Sequence, residues 1–276
     1  MMGITARGIS GHTLNRAEFD LLGMIDRRYF AESSEARFGE WTSAFVTSHS
    51  DWNTRVEVYS RLAMATMTGL DAIGGPVPGR RTRILFTGSA LGSVSTYFHA
   101  ALLAERGWLD NCDIELSDLL LEPLELTKAG SFDFPAEAAE STGMSHLLSP
   151  QDYRRMLAGC RVWAADAVDL SPAPAEAFDV VVAPYTHHHL NLLDKVRACA
   201  ELHRVTRPGG LVVIGDLTFG YEQFLDWLDH HRDEGLPYAL ECFISRQEHQ
   251  AFVPHSREVA AHEGDCFYAF AMAKAI

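Results

Sequence analysis

The chain is short of most features that mark a secreted, membrane or nucleic-acid-binding protein. Its 276 residues include only five cysteines, Cys112, Cys160, Cys199, Cys242 and Cys266, widely spaced and without a C-x-x-C pair. An odd, scattered set of this kind argues against a disulfide framework or a zinc site and points to reduced thiols in the cytoplasm. No apolar stretch approaches the roughly 20 residues a membrane-spanning helix needs. The segment Met1 to Asn15 lacks the apolar centre of a secretory signal, so a soluble, unprocessed protein is expected. Basic residues are scarce as well: 23 Lys+Arg stand against 37 Asp+Glu, for a formal charge of -14. Such a surface repels phosphate backbones and anionic lipid, which leaves a small neutral or cationic molecule as the expected partner. Internal repeats are absent.

What is present divides into two parts. From Leu14 to Ile73 apolar residues recur at helical spacing, as in Phe19, Leu22, Ile25 and Tyr29, then Trp41 and Phe45, then Val56, Tyr59, Leu62, Ala63 and Thr66. That pattern predicts several helices. The run Gly74-Gly75-Pro76-Val77-Pro78-Gly79 then breaks the chain, so residues 1–79 read as a helical cap and 80–276 as a second unit. In the second unit strand-like segments alternate with helix-like ones. Strands are expected at Ile84–Phe86, Asp113–Leu119, Arg161–Ala164, Asp179–Ala183, Leu211–Ile214 and Asp265–Ala273. Helices are expected at Val94–Arg106, from Pro123, at Gln151–Ala158 and at Leu192–Val205, with an irregular insertion over about 130–158. Repeated β-then-α order implies a doubly wound, mainly parallel sheet, whose ligands sit beyond the carboxyl ends of its strands.

The residues just past successive strands therefore deserve comparison. After the first lies Gly88-Ser89-Ala90-Leu91-Gly92, a turn into a helix, where glycines permit positive φ and the helix start offers unpaired N–H groups. The second ends at Asp118, with Glu122 four residues on. Asp166 follows the third, Pro184-Tyr185-Thr186-His187-His188-His189 the fourth, and Asp216 the fifth. A glycine turn, three acids and a histidine cluster would share one crevice.

In this order the motifs resemble those of the class I S-adenosylmethionine-dependent methyltransferases, over roughly Arg80 to the C-terminus. The resemblance rests on Gly88–Gly92, on Asp118 with Leu124-Glu125-Leu126-Thr127-Lys128, on Ala164-Ala165-Asp166-Ala167, on Phe178–Val182, on His188-His189-Leu190, and on Glu201–Gly210 with its Arg-Pro-Gly-Gly end. It implies a Rossmann-like, seven-stranded sheet and S-adenosylmethionine as cofactor. Carried over by position, Gly88, Ser89, Ala90 and Gly92 would wrap the methionine portion, with Pro184 lining the same pocket. Asp118 would accept from both ribose hydroxyls, and Asp166 from the adenine amine beside the Ala167 N–H. Phe86 departs from the family, which usually places an acid there to hold the cofactor's amino-acid end.

Methyl transfer from a sulfonium is an in-line displacement that needs alignment and dryness more than acid or base strength. A protonated acceptor does need a base, and His187 and His188 are the candidates, with Tyr185 as a hydrogen-bond partner for substrate. Adjacent histidines point in different directions, so the triplet is not expected to hold a metal. From the cap, Tyr29 and Trp41 are candidate substrate-wall residues, and Arg154 and Arg155 candidate partners for a substrate carboxylate. The leading expectation is a methyltransferase acting on a small amino-acid-like or secondary-metabolite acceptor, with a homodimer possible and no nucleic acid or membrane partner. Phe86 keeps a second reading open, in which the aminocarboxypropyl carbon is attacked, by transfer or cyclisation, and methylthioadenosine leaves. A third is a non-catalytic binding protein on the same fold.

Overall fold

The computed structural model describes residues 52–89, 94–119, 121–129, 140, 142–218 and 242–276. Seven strands form one sheet: β1 (Thr82–Thr87), β2 (Cys112–Asp118), β3 (Arg161–Ala164), β4 (Phe178–Pro184), β5 (Thr206–Leu217), β6 (Ser256–Glu263) and β7 (Phe267–Lys274). Their order is β3-β2-β1-β4-β5-β7-β6. The first five run parallel, and β7 lies antiparallel between β5 and β6. Strand order reverses between β1 and β4, so the loops leaving those two strands open a crevice at their carboxyl ends.

Burial on both faces explains the apolar strands. In β4 every residue from Phe178 to Pro184 is buried, as expected of a central parallel strand covered by helices on each side. Among the described residues the helices are α1 (Trp52–Ala72), α2 (Val94–Glu105), α3 (Leu121–Lys128), α4 (Pro150–Gly159), α5 (Leu192–Val205) and α6 (Arg246–Ala251). Three begin where a side chain satisfies orphan backbone N–H groups. Ser149 caps α4, with Pro150 at its first position; Asn191 caps α5; Ser245 and Glu248 form a reciprocal capping box at α6.

Helix α1 falls within the segment that the sequence assigned to a cap ending at residue 79. Its buried face, Leu62, Ala63, Met67 and Leu70, joins the same cluster as Ile84, Phe86, Val180 and Val213 of the sheet. At Gly69 a Cβ would stand 3.0 Å from Ala271 Cβ and 3.1 Å from Leu211 Cδ1, so the missing side chain lets the helix lie directly on β5 and β7. The Gly74–Gly79 stretch thus connects two elements of one core. Residues 1–51, the rest of the expected cap, lie outside the described residues.

Two strands differ from expectation. β5 starts at Thr206 rather than after Gly210, because the Pro-Gly-Gly segment is absorbed as an irregularity: Phe178 pairs with Thr206, and then Val180 with Leu211. β6 escaped notice because it is an edge strand whose sequence, Ser-Arg-Glu-Val-Ala-Ala-His-Glu, is mostly polar and half-buried. Asp179, buried at the start of β4, holds the amino-terminal side together. It pairs with Arg80 and Arg207 and accepts the Arg83 N–H at 2.8 Å.

One core histidine makes stability depend on pH. His99 on α2 is fully enclosed; its Nδ1–H donates to Ser95 O at 2.7 Å, and Nε2 lies 2.9 Å from Thr66 Oγ1. Burial lowers its pKa to about 4, against a partial opposing effect of the Ser95 bond. A folded-state pKa below the unfolded 6.5 means the unfolded chain binds the proton first, so stability is full above pH 6.5 and falls as pH drops towards 4. Between pH 7 and pH 5 this one group should remove about 2 kcal/mol. Urea titrations of wild type and His99→Gln at both pH values check this: the wild type should lose that much more stability than the variant, and equal losses would refute the assignment.

Candidate functional site

The carboxyl edge of the sheet is assembled from the strand ends upward. β1 runs into Gly88, whose φ of +63° is a left-handed conformation that suits glycine. A Cβ there would collide with the Thr186 side chain, whose Oγ1 donates to Gly88 O at 3.2 Å and to Pro184 O at 3.1 Å. The loops after β1 and β4 are therefore packed on one another. Ser89 N–H donates to Ser117 O at 3.1 Å, which ties the β1 turn to the end of β2. Ala165 N–H donates to Asp118 O at 2.8 Å, which ties β2 to the loop after β3. Gly88, Ser89, Asp118, Asp166, Ala167 and Pro184 all occupy this one edge. Asp118, Asp166 and Ala167 are half-buried, and one Asp166 oxygen accepts Val168 N–H at 3.1 Å, which shapes its loop. Ala90 and Gly92 fall outside the described residues, as do Tyr29 and Trp41.

Two serine hydroxyls at this edge, Ser89 Oγ and Ser117 Oγ, are buried with no hydrogen-bond partner among the described residues. Orphan buried hydroxyls are costly unless a bound molecule answers them. With the glycine turn and two half-exposed carboxylates, they suit a ligand rich in hydroxyl and amino groups.

The segment after β4 turns sharply. Tyr185 has φ +51°, and His187–His189 forms a single 3-10 turn. Tyr185 Oη donates to Val58 O on α1 at 2.7 Å, and its ring meets Tyr59 edge-on. Burial raises its pKa well above the usual phenol value. The hydroxyl expected to serve substrate is thus committed to backbone. His187 does not reach the crevice either: it is 1% exposed, with Nδ1 2.8 Å from His249 Nε2. Burial lowers its pKa to about 4, with Asp216 pulling the other way.

His188 is buried as well, at 6% exposed, but its partner is an acid. Its Nδ1 lies 2.7 Å from Asp216 Oδ1, and its backbone N–H donates to the same oxygen at 3.1 Å. Asp216 is 1% exposed at the end of β5. Burial alone would raise its pKa, but His188, through its charge when protonated and through its hydrogen bond, then Lys195 and His249, outweigh that and hold it below the ordinary carboxylate range. An ionised Asp216 fixes the proton of His188 on Nδ1 and leaves Nε2 as the basic nitrogen, the arrangement of a base with an orienting acid. Lys195, fully buried on α5, bonds His187 O and stands 3.9 Å from Asp216 Oδ2. Asp216 was legible as an acid after the fifth strand, but its coupling to His188 needed the folded register.

Phe86 is fully buried and packs edge-on against the His99 ring at 4.9 Å. The position where the resemblance calls for an acid is part of the core. Arg155 also differs from expectation: it pairs with Asp152 at 3.0 Å and lines a cavity of about 860 Å³ at the opposite, amino-terminal end of the strands. Arg81, Arg83 and Arg161 in that cavity likewise face Asp113 or Glu115.

A family model described as a methyltransferase domain matches residues 138–214, from before α4 through most of β5. That match covers a part of the chain; what the described residues share with methyltransferases as a whole is the fold. Among solved structures, the CurJ carbon methyltransferase superposes with a TM-score of 0.54 at 14% identity, covering 98% of this chain and 67% of that one. A putative sarcosine dimethylglycine methyltransferase from Galdieria sulphuraria gives 0.49 at 11% identity over 78% and 86% of the two chains. A geranyl diphosphate methyltransferase gives 0.47 at 13% identity over 75% and 76%. No curated protein matches the sequence significantly. The shared fold agrees with the glycine turn and the acids placed after successive parallel strands.

Gly88 is the most restrictive position of the site. Gly88→Ala should destabilise the protein by about 1–2 kcal/mol through its backbone conformation, plus the cost of displacing Thr186. Urea unfolding of Gly88→Ala alone and with Thr186→Ala separates the two costs. The second change should recover only the steric part; full tolerance of the single variant would contradict the packed-loop geometry.

Proposed function

We propose that this enzyme methylates a small molecule at an atom that must lose a proton, a hydroxyl, an amine or an acidic carbon, with His188 as the base. The observation that carries this reading is the His188–Asp216 pair, a buried carboxylate 2.7 Å from the imidazole nitrogen. Bound S-adenosylmethionine supplies an electrophilic methyl on a sulfonium. Everything else falls to the chain's own residues. Gly88 and Ser89 cradle the amino-acid end, Asp118 accepts from the ribose hydroxyls, and Asp166 with Ala167 receives the adenine. Asp216 holds the ring of His188 and stabilises the imidazolium that forms when His188 Nε2 takes the acceptor's proton. The chain's charge of -14 supports a neutral or cationic acceptor, of amino-acid-like or secondary-metabolite type, and a cytoplasmic setting fits its free cysteines.

One feature favours a second reading. Phe86 removes the carboxylate that the resemblance assigns to the cofactor's amino group, so the aminocarboxypropyl end would be held differently and its carbon would become an alternative point of attack. The by-product distinguishes the two. Mass spectrometry of the enzyme with S-adenosylmethionine, alone and with a panel of phenols, amines and β-dicarbonyl acids, should show S-adenosylhomocysteine only when an acceptor is present. His188→Asn should lower kcat about 10²- to 10⁴-fold while S-adenosylhomocysteine still binds. Methylthioadenosine as product would favour the second reading, and an unaffected kcat would remove His188 as the base.

A further inference from the structure

The histidine that the crevice does not use stands in a second cluster. His187 follows β4, Cys199 lies on α5 and His249 on α6, and all three are buried. Each offers a ligand atom, and these atoms lie within 4.8 Å of one another. His187 Nδ1 and His249 Nε2 face each other at 2.8 Å.

We propose that His187, Cys199 and His249 form a binding site for one borderline-soft divalent cation, with zinc as the first candidate. Imidazole nitrogen and thiolate sulfur are the donors zinc prefers. On a tetrahedral zinc with Zn–N of 2.0–2.1 Å and Zn–S of 2.3 Å, two nitrogens stand about 3.3 Å apart and a nitrogen and sulfur about 3.6 Å. The His187 Nδ1 to His249 Nε2 separation of 2.8 Å would have to open by about half an ångström, a small ring movement. The surroundings bear on the charge. A Cys199 thiolate and the nearby Asp216 carboxylate, whose Oδ2 is 3.9 Å from His249 Nδ1, offset the ion, while Lys195 on His187 O opposes it. Tyr268 Oη, 2.7 Å from His249 Nδ1, is an outer partner of the kind that orients a metal-bound imidazole. The sequence argued against a metal on the adjacent histidines. The fold uses only one of them and brings the other two donors from residues 12 and 62 positions further along the chain. A bound ion would pin α5 and α6 to the turn that carries His188.

The test uses the metal alone. Protein stripped with chelator and titrated with Co²⁺ should take up one equivalent and develop visible bands of tetrahedral cobalt together with a thiolate-to-cobalt charge-transfer band. Zinc should displace the cobalt. In Cys199→Ser the charge-transfer band should vanish and zinc affinity fall about 100-fold or more, whereas Cys266→Ser should keep both. Cobalt bands without thiolate character in the wild type, a charge-transfer band that survives Cys199→Ser, or no stoichiometric uptake would each overturn the proposal. The wild-type spectrum decides the matter even if Cys199→Ser fails to fold.

Discussion

A carboxylate sealed from water must be answered by donors, and around Asp216 that requirement organises half of the molecule's working edge. Its oxygens face the ring and backbone N–H of His188, with the ammonium of Lys195 and the His249 ring close by. Those groups come from the turn after β4, from α5 and from α6. Leaving such a charge unanswered would cost several kcal/mol, so the three elements are held in one arrangement. The same arrangement sets the tautomer of His188. A structural demand and a chemical one are thus met by the same contacts.

The parallel register supplies the other half. Because β1 lies between β2 and β4, and β2 beside β3, four loops leave the sheet side by side. Bonds such as Ser89 N–H to Ser117 O and Ala165 N–H to Asp118 O fasten neighbouring loops to each other. Thr186 leans into the space that glycine at position 88 leaves open. The edge proposed for the cofactor and the histidine proposed as base therefore share a wall, the turn from Pro184 to His189, at the point where strand order reverses.

Much of this was legible in the sequence because its signals are local. Glycine after an apolar strand, acids after the next two, and the amphipathic helix Leu192–Val205 follow from backbone geometry and burial, and the β3 and α5 boundaries fall where the periodicity puts them. What escaped depended on contacts between distant residues. The polar edge strand β6 carries no alternation to read, and the length of β5 is set by an irregular pairing with Phe178. The roles of Tyr185 and His187 changed because Val58 and His249, far away in sequence, claim their polar atoms. Composition could name histidine as a candidate base; only the fold could say which one faces an acid.

In the proposed function the adenosyl group lies across the ends of β1, β2 and β3, beside the histidine that Asp216 holds. Calorimetric titration with S-adenosylhomocysteine tests that placement most directly. The wild type should bind one equivalent, and Asp118→Asn, which removes the anionic acceptor for the ribose, should weaken binding by about tenfold or more. Undiminished affinity in Asp118→Asn would contradict it.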